Sequence, residues 1–490
     1  MRKYFLALIA VALVFAFSAV DYASAADVKM TGVLRWRGNS YDNADQNDAG
    51  TSQDGGQKID SLWRPRWTVN ALGGKAKAIF ELDAVGDTGA GKATGRSDAQ
   101  WNRFLFDTAI PGTTFRMRFG RSDWISPDKE IFGSNGVNRR FGWGLYGKIN
   151  KTLSMSAWNV QTEDGTTKAD DANQYFLQLA WKAAPAITLT PWIAWEKNNG
   201  ETAGGSVSST GVVAQSTVTS ASTERDIWMY ALNAKAKFGI ASLNATFVLQ
   251  EGKLDFGRAV NSGNANNTTD VNATATAARQ DTDIDGYAVL IRLWLNFGKA
   301  KLGFYGTFMP GDDDATDTAD DLGTQKDNKL TRFVPGGGGG DNGNCSVNGP
   351  QIYTRRRYLT MTTGFRRENR CGSGDGAAKG NGSAILEILG QYKLTKALTL
   401  DGNVSFIRTA AKRADQDTTG DGIADGTVYN SSKDIGTEVD ISAKYTIYKG
   451  LWARLTYAHL FAGDYGKENV ATALDNDDTW ALYWEFRYTF

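Results

Sequence analysis

Residues 480–490 alternate without a break. Trp480, Leu482, Trp484, Phe486, Tyr488 and Phe490 share one parity, and Ala481, Tyr483, Glu485, Arg487 and Thr489 the other. Period two puts these sets on opposite faces of a β-strand. In water, an aromatic ladder of this length on an open sheet edge would template aggregation. A sheet closed on itself in lipid has no edge, and it needs one apolar and one polar face on every strand. The chain is therefore expected to be all-β: a transmembrane antiparallel up-and-down β-barrel.

The same period recurs upstream. Near 28–38, Met30, Leu34 and Trp36 oppose Lys29, Arg35 and Arg37; near 62–72, Trp63, Trp67 and Val69 oppose Arg64, Arg66 and Thr68. Lys77, Glu81 and Asp83 oppose Ala78, Phe80 and Leu82. Arg103 and Asp107 oppose Phe104 and Phe106, and Arg116 and Arg118 oppose Phe115, Met117 and Phe119. Further strands are expected near 140–149, 152–161, 173–182, 187–196, 226–237, 241–251, 285–296, 300–309, 383–394, 398–408, 436–447, 451–461 and 479–490. About 18 strands result, with 16 as the alternative. Tight turns such as Gly73-Gly74, Ile110-Pro111-Gly112 and Lys449-Gly450 alternate with long polar connections, the longest near 310–382. Short turns on one side and long loops on the other are the pattern of an outer-membrane barrel. A soluble sandwich or propeller has no reason to segregate its loop lengths.

Residues 1–25 read as a secretory signal. Arg2 and Lys3 precede an apolar run from Phe5 to Phe17, and Ala23-Ser24-Ala25 is a small-residue cleavage site. Residues 26–490 then form one barrel domain. No other stretch approaches the 18 or so consecutive apolar residues of a transmembrane helix. The 54 basic side chains balance 54 acidic ones, which argues against a nucleic-acid partner. The single histidine, His459, falls at the parity of Leu455, Tyr457 and Phe461, a belt position, so no enzyme is expected and no cofactor is required.

The closing segment 480–490 closely resembles the last strand of Gram-negative outer-membrane barrels. The segments Asp60–Trp67, Ile110–Arg121 and Thr437–Tyr445 are similar to the homotrimeric outer-membrane porins of anaerobic sulfate-reducing bacteria. That resemblance implies a homotrimer in the outer membrane, in contact with lipid and lipopolysaccharide. A barrel of 16–18 strands encloses an aqueous channel, and the inner positions read as mostly charged or small and polar. The expected function is passive diffusion of ions and small hydrophilic solutes. The alternative is an 18-stranded channel specific for an anionic solute, a sugar acid or carboxylate.

Arg35, Arg37, Arg64, Arg66, Arg103, Arg116 and Arg118 fall at the inner parity of the first five strands, although Leu105 shares the parity of Arg103. Two arrangements are open. The arginines either face an acidic third external loop carrying Asp123, Asp128 and Glu130, forming a constriction, or pair with Glu81, Asp83 and Asp107 on the wall itself. Cys345 and Cys371, both in the longest connection of an exported chain, are expected to form a disulfide worth about 3–4 kcal/mol in the chain-entropy model. The arginines nearby, Arg355, Arg356, Arg357, Arg366, Arg367 and Arg370, form either an anion-attracting vestibule or a solvated hairpin. Residues 417–425 resemble the calcium loops of thrombospondin-type and EF-hand-like repeats. Asp417, Thr419, Asp421 and Asp425 stand at ligand spacing, with Gly422 at the sharp turn. Thr419 replaces the usual acid and Val428 the usual glutamate, so an Asp/Gly-rich loop without metal is the other reading.

Overall fold

The computed structural model describes residues 27–42, 57–87, 99–125, 133–134, 140–163, 172–198, 223–256, 280–310, 329–330, 383–408, 410, 432–464 and 478–490. Eighteen long strands make up the barrel. They are β1 (Asp27–Asp42), β2 (Gln57–Ala71), β3 (Ala76–Asp87), β4 (Ala99–Ala109), β5 (Phe115–Ser122) and β6 (Arg140–Lys148). Next come β7 (Leu153–Glu163), β8 (Ala172–Ala184), β9 (Ile187–Asn198), β10 (Thr223–Phe238), β11 (Ala241–Phe256) and β12 (Gln280–Phe297). The last are β13 (Ala300–Met309), β14 (Ser383–Lys393), β15 (Leu398–Arg408), β16 (Asp434–Tyr448), β17 (Leu451–Ala462) and β18 (Thr479–Thr489).

Each strand pairs antiparallel with the next in sequence, from β1 with β2 to β17 with β18. The seam is closed by β18 against β1, in register from Val33↔Thr489 to Asp42↔Trp480. Gly32 and Phe490 extend it, each N–H donating to the other's carbonyl at 2.8 and 3.1 Å. The count of 18 settles the choice against 16.

Closure makes the parity of every strand an inside–outside assignment. Large exposed apolar side chains along the strands, among them Trp36, Trp63, Trp143, Trp181, Phe247, Leu249, Phe406 and Phe486, fall at the outward parity. Lipid is the solvent that suits this face. The opposite parity holds Glu81, Asp107, Glu387, Glu438 and Asp440, all buried.

Several strands run past the ends expected from the sequence. β10 and β11 have 16 residues and β12 has 18. A strand needs only about 9–11 residues to cross the bilayer, so the ladder continues beyond the lipid. In β10 and β12 the residues there are polar at both parities, as in Thr223-Glu224-Arg225-Asp226 and Gln280-Asp281-Thr282-Asp283, and the alternation that marks a strand disappears although its hydrogen bonds do not. The extra height of β12 receives a partner from the longest connection: Lys329-Leu330 pairs parallel with Asp283-Ile284.

Phe247 lies midway along β11 on the outward face. Phe247→Arg is expected to cost about 2–4 kcal/mol of unfolding free energy in lipid. Urea unfolding in bilayers measures it, and a change under half a kilocalorie would show that this face does not meet hydrocarbon.

Candidate functional site

The inner faces of β2–β6 carry a network of guanidinium–carboxylate contacts. Glu81 is its hub, with no exposure to solvent. Arg66 donates from Nε to Glu81 at 2.5 Å, while Arg103 Nε and Arg64 Nε lie 3.6 and 4.0 Å from its other oxygen. Asp83 accepts from Arg64 Nη2 and from Asn102 Nδ2, both at 2.5 Å. Asp107 takes Arg116 Nε at 2.6 Å on one oxygen. Its other oxygen accepts from Arg118 at 3.2 Å and from the Tyr146 hydroxyl. The Arg118 guanidinium also lies 5.0 Å above the Tyr146 ring.

The register explains these sets. Arg66 opposes Glu81, Glu81 opposes Arg103, and Asp107 opposes Arg118. A carboxylate as buried as Glu81 needs several donors around it, and three arginines supply them here. Arg35 and Arg37 continue the wall toward the seam, opposite Arg487 and Glu485 of β18.

Arg103 keeps the phase of Leu105 and Asp107, and a bulge lies just before it. Glu81 opposes Arg103 but Leu82 opposes Trp101, so Asn102 is the extra residue. Asn102 and Arg103 both turn inward, Trp101 outward, and Leu105 stays inward and buried. No period-two reading gives that.

Of the third-loop acids, Asp123 is on the inner wall, ion-paired with Arg103. Asp128 and Glu130 lie outside the described residues, as do residues 1–25, Cys345, Cys371, the arginines 355–357, 366, 367 and 370, and the 417–425 segment with Asp417, Thr419, Asp421 and Asp425. Wall pairing and a loop acid facing an arginine therefore coexist. The seven wall arginines outnumber Glu81, Asp83, Asp107 and Asp123, the acids described on the same wall.

The next residue, Trp124, pins the start of this connection to the wall. Its indole is buried, donates from Nε1 to the Arg140 carbonyl at 3.0 Å, and packs 6.5 Å from the Trp158 ring. It lies over Gly142 and Gly144 of β6. A Cβ at Gly144 would meet the indole at 2.9 Å, and one at Gly142 at 3.1 Å. Beside it, Trp124-Ile125 pairs antiparallel with Gly133-Ser134.

One expectation needs correcting. The inner face is not polar all round, for β7–β13 carry a buried apolar cluster including Trp158, Phe176, Trp192, Met229, Val248 and Met309. Trp158, Phe176 and Trp192 stack in succession at 4.6 and 5.6 Å. These strands are apolar at both parities, as Trp192-Ile193-Ala194-Trp195 shows, so alternation cannot say which face is dry. His459 is outward, between the Tyr457 hydroxyl and Asp478.

No protein-family model matches this sequence, and no curated protein matches it either. Solved structures match the fold. A BenF-like porin from Pseudomonas fluorescens Pf-5 aligns over 95% of this chain and 99% of its own, with a TM-score of 0.51 and 11% identity. Pseudomonas aeruginosa OccK8 (OprE) aligns over 95% and 98%, at 0.50 and 12%, and P. aeruginosa OpdQ over 95% and 98%, at 0.50 and 11%. The fold is that of an 18-stranded outer-membrane porin barrel.

Removing an indole as buried as Trp124 forfeits on the order of 3–5 kcal/mol of packing. Trp124→Ala is expected to free the segment it pins and to raise open-channel conductance and current noise in a planar bilayer. Unchanged conductance and noise would show that Trp124 does not set the channel's cross-section.

Proposed function

We propose that the protein is a porin of the Gram-negative outer membrane, a passive channel for ions and small hydrophilic solutes that favours anions. The observation that carries the reading is an arginine-rich wall inside a closed 18-stranded barrel whose outer face is apolar. A barrel of this size is wide enough for water, and fixed positive charge along one wall raises the local concentration of anions. The acids on the wall hold the guanidiniums in place, and the excess of arginine supplies the field. Transport rather than catalysis is the function: the one histidine is on the outward face, away from the channel. The similarity to trimeric porins of sulfate-reducing bacteria supports a homotrimer, with lipopolysaccharide against the outward aromatic face.

Replacing Arg64, Arg66, Arg116 and Arg118 together by Gln leaves the four acids Glu81, Asp83, Asp107 and Asp123 against the three arginines Arg35, Arg37 and Arg103 on this wall. The reversal potential in a salt gradient is expected to move toward cation preference, the anion-to-cation permeability ratio passing below unity. A reversal potential identical to that of the parent channel would remove the arginine wall as the source of selectivity.

A further inference from the structure

The eight short turns share a chemistry that transport does not need. Residues 72–75, 110–114, 149–152, 185–186, 239–240, 298–299, 394–397 and 449–450 contain no acid. At five of these turns a lysine follows an apolar residue: Leu72 with Lys75, Ile149 with Lys151, Phe297 with Lys299, Leu394 with Lys396, and Tyr448 with Lys449. All of these side chains are exposed. Among the described residues, none of the five lysines has an ion pair or a side-chain hydrogen bond. The turns join β2 to β3, β6 to β7, β12 to β13, β14 to β15 and β16 to β17, so the pairs are spread around the rim. The opposite ends of the strands are different: Asp226, Asp283, Asp434 and Asp478 are exposed there, beside Lys197 and Lys253.

Short turns mark the periplasmic side, where the outer membrane presents its inner leaflet. An exposed apolar side chain at that rim is most stable in contact with hydrocarbon. Its lysine follows within three residues, at most about 11 Å of extended chain. The headgroup layer on each side of the hydrocarbon is about 5–8 Å deep. The ammonium groups therefore lie at the level of the lipid phosphates, their methylene stems against apolar surface. With no acid in the same turn to neutralise it, each ammonium is a ready partner for an anion. The spread around the rim favours lipid over a docked protein, which would load one side. It also favours lipid over an anionic polymer beneath the membrane, which has no use for an apolar residue beside each cation.

We infer that the short-turn rim is a binding surface for anionic phospholipids of the inner leaflet, each lysine on a headgroup phosphate and its apolar neighbour against the acyl chains. Headgroups with a net negative charge are preferred, because the amine of a zwitterionic headgroup competes with the lysine for the same phosphate. The inference rests on the closure and orientation of the barrel and is independent of what passes through it.

The test reconstitutes the full-length protein into phosphatidylcholine vesicles that carry a trace of spin-labelled phosphatidylglycerol or spin-labelled phosphatidylcholine. Electron spin resonance separates lipid immobilised against the barrel from bulk lipid. Phosphatidylglycerol is expected to be enriched at the barrel about fivefold over phosphatidylcholine, the scale of one lysine near an anionic headgroup, and the enrichment to fall as salt is raised. Replacing Lys75, Lys151, Lys299, Lys396 and Lys449 together by Gln is expected to abolish it. Replacing Lys197 and Lys253 by Gln, at the other end of the barrel, is expected to leave it intact. Enrichment that survives the five substitutions, or that the Lys197 and Lys253 pair removes instead, overturns the assignment. Equal immobilisation of the two lipids by the parent protein overturns it without any variant having to fold. Salt-sensitive binding of the parent to purified peptidoglycan sacculi, with no preference between the lipids, assigns the lysines to the cell wall instead and equally overturns it.

Discussion

The structure depends on one requirement: no backbone N–H or C=O can be left unpaired in hydrocarbon. A single antiparallel sheet meets it only by returning on itself, and the seam between β1 and β18, with Gly32 and Phe490 exchanging hydrogen bonds at its end, is where it does so. Once the ladder is closed, parity stops being a local preference. A residue at an even step from Trp36 looks at lipid and its neighbour looks at the interior, strand after strand, with bulges as the only means of changing the rule.

The interior then faces its own problem. Charges that make a channel attractive to ions are costly on a wall with low-dielectric material behind it. The register solves this by placing acids opposite arginines, so that Glu81 and Asp107 are each surrounded by more than one guanidinium. The seven arginines of this wall outnumber its four described acids, Glu81, Asp83, Asp107 and Asp123. The apolar inner face of β7–β13 does a different job: it gives the third connection, through Trp124, a dry surface to pack against.

Much of the fold was legible in the sequence because lipid on one side and water on the other impose period two. The order of the strands and the tight turns follow from it, as does a count of about 18 that left 16 open. Legibility failed where that asymmetry failed. The polar outer ends of β10 and β12 pair without alternating, so these strands looked shorter than they are. β9 is apolar at both parities, which hid the dry inner wall. At the candidate site, the inward parity of Arg64, Arg66, Arg116 and Arg118 was readable from their aromatic neighbours. So was that of Arg103, which is in phase with Asp107; Asn102 was not, because the bulge adds it to the inner face. Nor was Tyr146, which joins the network only through its register with Arg116 and its hydrogen bond to Asp107. The two glycines beneath Trp124 carried a signal in retrospect: Gly142 and Gly144, two apart on one strand, leave a notch on one face that a bulky ring can fill.

The most direct test is the single-channel current of the full-length protein in a planar lipid bilayer under a salt gradient. The account predicts discrete, ohmic conductance steps of a water-filled pore, with a reversal potential of the sign that marks anion preference. Correctly folded protein that inserts and carries no current, or that carries cations in preference, would contradict it.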